Sequence, residues 1–254
     1  MADVGEPRID VRATPDDVSA AAAELIADAL AAAVAARGRA DWATTGGSTP
    51  VGIYRVLAVS PLRERVPWDR VHVWWGDDRF VPRDHPSSNV LPLDDILLEA
   101  SAHSGESGTG DQSFDAADRP PGVRIPPANV HAMPMGAAIA NEHDTAWVAR
   151  EYQRALTDAM LPVGTNGVPS LDLVLVGVGP DGHVLSDFPG STAFDRGDWV
   201  APVPAPTHLD PKVPRVSQSP AFLEAAGAVL VVAFGAGKAE VLAWALGPER
   251  DPSR

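Results

Sequence analysis

"SLDLVLVGVGPDGH", Ser170 to His183, joins two unlike kinds of chain. Its first part is a near-continuous apolar run, as expected of a strand buried on both faces of a parallel sheet rather than of one with a wet face. Its second part, with Gly177, Gly179, Pro180, Asp181, Gly182 and His183, has no apolar face to pack. That part reads either as a plain strand-to-helix turn or as a place where backbone and imidazole meet a ligand. The stretches on either side repeat the pattern. "AGAVLVVAFG" (Ala226–Gly235) is a second run that reads as fully buried. "RIDVRA" (Arg8–Ala13), "ADWATT" (Ala40–Thr45), "RVHVWW" (Arg70–Trp75), "NVHAM" (Asn129–Met133) and "WVAPVPA" (Trp199–Ala205) read as further strands. Between them lie helical segments. The first starts with Thr14 as N-cap and Pro15 in the first turn, and Gly38 stops it after Arg37. Others cover Val51–Val59, Val90–Ala100, Ala137–Leu161 and Ala236–Leu246. Strands alternating with helices predict an α/β fold: a doubly wound, mostly parallel sheet with helices on both faces. Residues 1–254 read as one domain, with a flexible Gly/Ser/Asp/Pro-rich insertion at about 101–128.

Composition narrows the function. The formal net charge of −14 argues against nucleic-acid or anionic-membrane partners, which need basic patches. There are no cysteines, so thiol nucleophiles, disulfides and Cys-based metal sites are excluded. The start "MADVGEPRID" has no basic segment followed by an apolar one, and we expect no secretory signal and a cytoplasmic protein. The alanine-rich first helix carries Glu24 and Asp28 and reads as a soluble helix. Any anion site must be built locally, from backbone N–H groups and a few cations. Of the 20 basic residues only Lys212 and Lys238 are lysines.

Four unusual loops each follow the carboxyl end of an expected strand, where open α/β sheets bind their ligands. "GGSTP" offers Gly46, Gly47, Ser48 and Thr49 at a helix start, a place where backbone N–H groups and hydroxyls cradle a phosphate. It is equally a tight turn with Thr49 capping and Pro50 opening the helix. "GDDRFVP" offers Arg79, to hold an anion or stabilise an oxyanion, or as part of a surface ion-pair cluster. "GVGPDGH" offers His183 as a general base near neutral pH, with Asp181 to orient it. "FGAGK", the fourth, supplies Lys238, and the separate stretch "PKVPR" supplies Lys212 and Arg215. No HExxH-like spacing suggests a metal, and no Gly-x-Ser-x-Gly elbow suggests a serine hydrolase.

"GGSTP", "DDRFVP…HPSSN", "GVGPDGH…FPG", "PKVPR" and "GAGK", in that order from about Ala40 to Leu246, resemble the 6-phosphogluconolactonase family within the glucosamine-6-phosphate isomerase superfamily. The resemblance implies hydrolysis of 6-phospho-D-glucono-1,5-lactone in the pentose phosphate pathway, with no metal or other cofactor. It implies a small phosphorylated sugar lactone as the only partner, no nucleic acid or membrane, and a monomer or weak homo-oligomer. By position His183 resembles the general base, Asp181 its orienting acid and Arg79 the arginine near the reacting end. The Gly46–Thr49 loop, Arg215 and Lys238 would hold the phosphate, with Lys212 near the substrate. After the histidine, three residues depart from the pattern. Val184 and Leu185 stand where Thr-Ala is usual, and Asp187 where Leu is usual, which leads us to expect an acid near the site. An amino-sugar phosphate isomerase/deaminase is the alternative enzyme, but the glutamate expected soon after its histidine is missing from "HVLSDFPG". A non-catalytic sugar-phosphate-binding homologue is the third reading.

Overall fold

The computed structural model describes residues 7–99, 120–195 and 197–247. Helix α1 (Pro15–Arg37) begins and ends where the sequence says. Thr14 Oγ1 accepts the Asp17 N–H at 3.1 Å, and Gly38, at φ 78°, turns its N–H onto the Val34 carbonyl at 2.8 Å. By length and composition α1 could cross a membrane. Here it packs Ala22, Ala23, Ile26, Ala27 and Leu30 into the core, and its outward Glu24 and Asp28 pair with Arg65. The chain continues through β1 (Ala40–Thr44), α2 (Thr49–Leu57), α3 (Leu62–Arg65), β2 (Val71–Trp75), β3 (Asp77–Arg79), β4 (Val130–His131), α4 (Met135–Ala140) and α5 (Thr145–Asp158). It then forms β5 (Leu173–Gly177), β6 (Val200–Val203), β7 (Arg215–Gln218), α6 (Pro220–Ala225), β8 (Val229–Val232) and α7 (Ala239–Leu246).

Strands β4-β2-β1-β5-β8 make an all-parallel sheet. Alternate residues of its central strands enter two separate cores. Trp42, Val73, Trp75, Leu173 and Leu175 pack with α1 and α2. Ala43, Trp74, Val174 and Val176 pack with α4 and α5. This is why "LDLVLV" has no polar alternation: both faces are covered. The strand order reverses between β1 and β5, so the crevice above that pair is the switch point at which α/β sheets bind ligands.

Several expectations need correcting. Arg8–Ala13 forms no strand among the described residues; Ile9 and Val11 alternate as a strand would but stay exposed, with no neighbour to pair. The helix expected over Val90–Ala100 shrinks to one wide turn, Leu93–Leu97, closed by the Leu98 N–H on the Leu93 carbonyl at 3.0 Å. The helix expected over Ala137–Leu161 is two, because Asp144 caps a new start by accepting the Trp147 N–H at 2.8 Å. Strand β8 is not buried on both faces. It has one neighbour, and Val229 and Val231 are exposed. Most of the 101–128 insertion lies outside the described residues. Its described end is irregular chain but packed against the core, where Val123 and Ile125 are buried. Lastly, "GDDRFVP" is not all loop: Asp77–Arg79 forms β3, which with β6 flanks β7 in a small antiparallel sheet.

One polar cluster lies beside Trp74. His131 stacks on Trp74 at 3.9 Å and shares a proton position with His72, Nε2 to Nδ1 at 2.9 Å. Burial, then the neighbouring His72, holds His131 at about 4, below its ordinary 6.5. Burial and Arg39 lower His72 too, while Asp41 opposes the shift in both. The unfolded chain therefore takes up these protons first as pH falls, and stability present above 6.5 is lost towards 4. We expect the urea midpoint to fall from pH 7 to pH 5, and to fall less in His131→Phe, which keeps the ring on Trp74. Equal falls in the two proteins would contradict the assignment.

Candidate active site

Five segments meet above β1 and β5 around a cavity of about 190 Å³. The β1–α2 loop supplies Thr45–Thr49. Gly47 is in the left-handed region at φ 72°, and Gly46 passes so close to Asn89 that a Cβ would lie 1.8 Å from its Oδ1. Ser48, rather than Thr49, takes the N-cap position, and its hydroxyl makes no cap bond. The first-turn N–H groups of α2 thus keep their capacity for an anion, which the helix dipole favours.

The small sheet adds two guanidinium groups. In the β3–β7 pairing Arg79 lies opposite Arg215. Arg79 Nη1 donates to the Ser87 carbonyl at 2.9 Å and to Asn89 Oδ1 at 2.5 Å. Asn89 Nδ2 donates in turn to the carbonyl and Oδ1 of Asp77, and Ser186 Oγ donates to Asp77 Oδ2 at 2.6 Å. Arg215 is only 3% exposed, with its guanidinium carbon 5.1 Å from the Phe188 ring centre. The Nε atoms of Arg79 and Arg215 are buried without a partner, and neither side chain is in an ion pair among the described residues. Burial, then the charge of Arg79, lowers the Arg215 pKa, and burial lowers that of Lys238, which also lines the cavity. Asp77 is the one carboxylate in the lining. Buried cations in such surroundings are costly unless an anion meets them. Asp78 serves the scaffold. Fully buried, it accepts the N–H groups of Arg79 and Asn89 at 2.8 and 2.7 Å, and burial outweighs those bonds to push it up to about 7.

The loop after β5 places the imidazole. His183 Nδ1 is 2.6 Å from Asp181 Oδ1, and the loop closes through Gly179 N–H on the His183 carbonyl at 2.8 Å. Burial alone would raise the Asp181 carboxyl; hydrogen bonds from His208 and His183 outweigh it and hold the group at about 2. Ionised at neutral pH, Asp181 can only accept, so His183 carries its proton on Nδ1 and offers Nε2 as a base. Gly179 is needed here, since a Cβ would sit 2.1 Å from His183 Nδ1 and 2.6 Å from Asp181 Oδ1.

Of the residues singled out in the sequence, Gly46, Gly47, Ser48, Thr49, Arg79, His183, Arg215 and Lys238 line the cavity together, with Asp181 behind His183. Lys212 does not join them; it is exposed on the 204–214 connection. Asp187 is not in the lining either, and burial raises its carboxyl. Asp77, Asn89, Leu185 and His208 belong to the site without having been singled out for a role. Asp77 and Asn89 had a sequence signal in "DDRFVP…HPSSN", and Leu185 stood out as a departure from the family pattern; His208 had none. Among the described residues no cluster of three or more His, Asp or Glu could hold a metal.

Fold and site define a doubly wound α/β protein with a cationic pocket and an oriented imidazole at its switch point. The chain belongs to the family described as glucosamine-6-phosphate isomerases/6-phosphogluconolactonase, whose profile matches residues 13–254. It is 31% identical to the 6-phosphogluconolactonase of Synechocystis sp. over 98% of this chain and 88% of the relative. It is 32% identical to that of Streptomyces coelicolor over 94% and 83%. Among solved structures, the 6-phosphogluconolactonase of Trypanosoma brucei is similar with a TM-score of 0.76 and 30% identity, covering 97% of this chain and 89% of the other. A monomeric glucosamine-6-phosphate deaminase, at 17% identity and a TM-score of 0.63, shares the fold.

The contact at Gly179 gives a direct test of the imidazole's placement. Gly179→Ala should drive His183 and Asp181 apart while leaving the core untouched. We expect the thermal midpoint to hold and the slowed exchange of the His183 Nδ1 proton, read by NMR, to disappear. A retained Nδ1 signal would contradict the geometry.

Proposed function

We propose that this chain is a 6-phosphogluconolactonase, hydrolysing 6-phospho-D-glucono-1,5-lactone to 6-phospho-D-gluconate. The observation that carries the reading is one cavity holding both an Asp181-oriented imidazole and three cationic side chains, Arg79, Arg215 and Lys238. Membership of the family and the named relatives support it. In this reading the α2 start, Arg215 and Lys238 receive the 6-phosphate, and Arg79 stabilises negative charge at the reacting end. His183 Nε2 takes a proton from water as its oxygen attacks the lactone C1. As the bond from C1 to the ring oxygen breaks, the imidazolium returns that proton to the leaving oxygen, and the product ionises to a carboxylate. Asp181 keeps its negative charge throughout and stabilises the transient imidazolium. Holding the phosphate makes the attack effectively unimolecular. The reading includes one domain, cytoplasmic location, work as a monomer or weak homo-oligomer, and no metal or other cofactor. Lys212, exposed and outside the cavity lining, is given no contact with the phosphate in this reading.

Turnover of the lactone by the purified protein, above its spontaneous hydrolysis, is the test. His183→Ala should cut kcat by about 10²–10⁴-fold, with saturable binding of 6-phosphogluconate retained. Binding without turnover in the native chain would point to the non-catalytic homologue instead. Lys238→Ala should chiefly raise KM; a pure loss of kcat would remove it from the phosphate clamp.

A further inference from the structure

The connection between β6 and β7, residues 204–214, draws notice in the sequence for Lys212. What it carries to the site is His208. His208 Nε2 lies 2.9 Å from Asp181 Oδ2, while Oδ1 of the same carboxylate is 2.6 Å from His183 Nδ1. Asp181 thus spans two imidazoles, one on each oxygen. An ionised carboxylate accepts and does not donate, so His208 presents Nε2–H and His183 presents Nδ1–H. Phe188 fills the angle between the rings, 4.7 Å from His183 and 5.9 Å, edge-on, from His208.

The two oxygens are not equally held without His208. Oδ1 has the His183 ring and the His183 backbone N–H at 3.3 Å. Oδ2 has His208 as its only partner among the described residues. A carboxylate fastened through one oxygen can swing about its terminal bond, and its plane then no longer fixes the ring that it supports. The His208 side chain is 52% exposed, so its removal opens no cavity in the core. The geometry points to His208 as a positioning residue. It anchors the second oxygen of Asp181 and thereby holds His183 in the ring orientation and tautomer that leave Nε2 free to act as the base. This rests on the lactonase reading for its kinetic consequence, but the clamp itself is a statement about Asp181 and His183.

The test compares wild type, His208→Ala, His208→Gln, Asp181→Ala and the His208→Ala/Asp181→Ala double variant in hydrolysis of 6-phosphogluconolactone. His208→Ala should lower kcat about tenfold, a size typical of coupling within one hydrogen-bond network, with KM and the thermal midpoint unchanged. His208→Gln, whose amide can still donate, should recover most of that loss. In the Asp181→Ala background, removal of His208 should cost nothing further. A raised KM with unchanged kcat would make His208 a substrate contact and overturn the proposal. So would a full loss retained in the absence of Asp181, or wild-type kcat in His208→Ala. Ring ¹⁵N NMR separates this from the lactonase reading. Wild type and His208→Gln should show His183 as the pure Nδ1–H tautomer, and His208→Ala a mixture. If wild type fails to hydrolyse the lactone, the functional reading falls, while the tautomer comparison still decides the clamp.

Discussion

Strands β1 and β5 lie side by side with neither face exposed, and the site depends on that arrangement. A strand covered on both faces is mostly apolar, and the buried polar groups it does carry, here Asp41 with Arg39 and Trp74 and Thr44 with Tyr54, are held by partners within the fold. Its functional residues have to stand at its end, where the sheet stops. The carboxyl ends of β1 and β5 are neighbours at the point where the strand order reverses, which opens a crevice with two loops already facing each other. The end of β5 and the start of α2 approach closely: a Cβ on Gly177 would lie 3.0 Å from Thr49 Oγ1. The end of β2 is finished differently. Tyr152 reaches from α5, and its hydroxyl accepts the Trp75 N–H at 2.8 Å and donates to the Trp75 carbonyl at 3.0 Å. That frees the next residues, through Gly76, to leave the main sheet and start β3.

The leaving strand solves an electrostatic problem. A chain with a net charge of −14 repels a phosphorylated molecule at a distance, and salt screens that repulsion beyond roughly 8 Å. What matters is therefore the charge within one cavity. By pairing β3 with β7, the fold sets Arg79 and Arg215 side by side, below a lone Asp77 that Asn89 and Ser186 already occupy. Burial, and after it the like charge of Arg79, lowers the Arg215 pKa. The two arginines stay because β-sheet pairing and burial fix them, and the net local charge is positive in an acidic protein.

Strand β5 was legible from the sequence because burial on both faces leaves a continuous apolar run. The helix caps were legible because Thr14 and Gly38 act through backbone chemistry within a few residues. His183, Asp181 and the glycines were legible for the same local reason. The antiparallel sheet was not. Its partners, Asp77–Arg79 and Arg215–Gln218, are 136 positions apart between Arg79 and Arg215, and neither has a run long enough to read as a strand. Strand β8 misled in the other direction: its composition suits burial, but exposure of Val229 and Val231 is decided by which elements lie beside it. His208 had no sequence signal, since its partner, Asp181, is reached only through the β6–β7 turn.

The departures from the family pattern after His183 become intelligible once their neighbours are known. Leu185 stands at φ 58°, a left-handed conformation that costs a non-glycine residue about 1–2 kcal/mol. A side chain larger than alanine at that point needs space, and Gly76 provides it: a Cβ on Gly76 would lie 2.4 Å from Leu185 Cδ2. Leu185 is consequently buried and forms an apolar part of the cavity wall, beside the cations and the imidazole. An apolar wall there keeps water from screening the charges, so each cation acts in a lower effective dielectric. The unexpected acid two residues on does not undo this. The Asp187 backbone N–H closes a short turn on the Val184 carbonyl at 3.0 Å, and the residue stays out of the lining. The substitution at 185 and the absence of a side chain at 76 thus form one packing unit, in which burial of the leucine offsets the strain of its backbone.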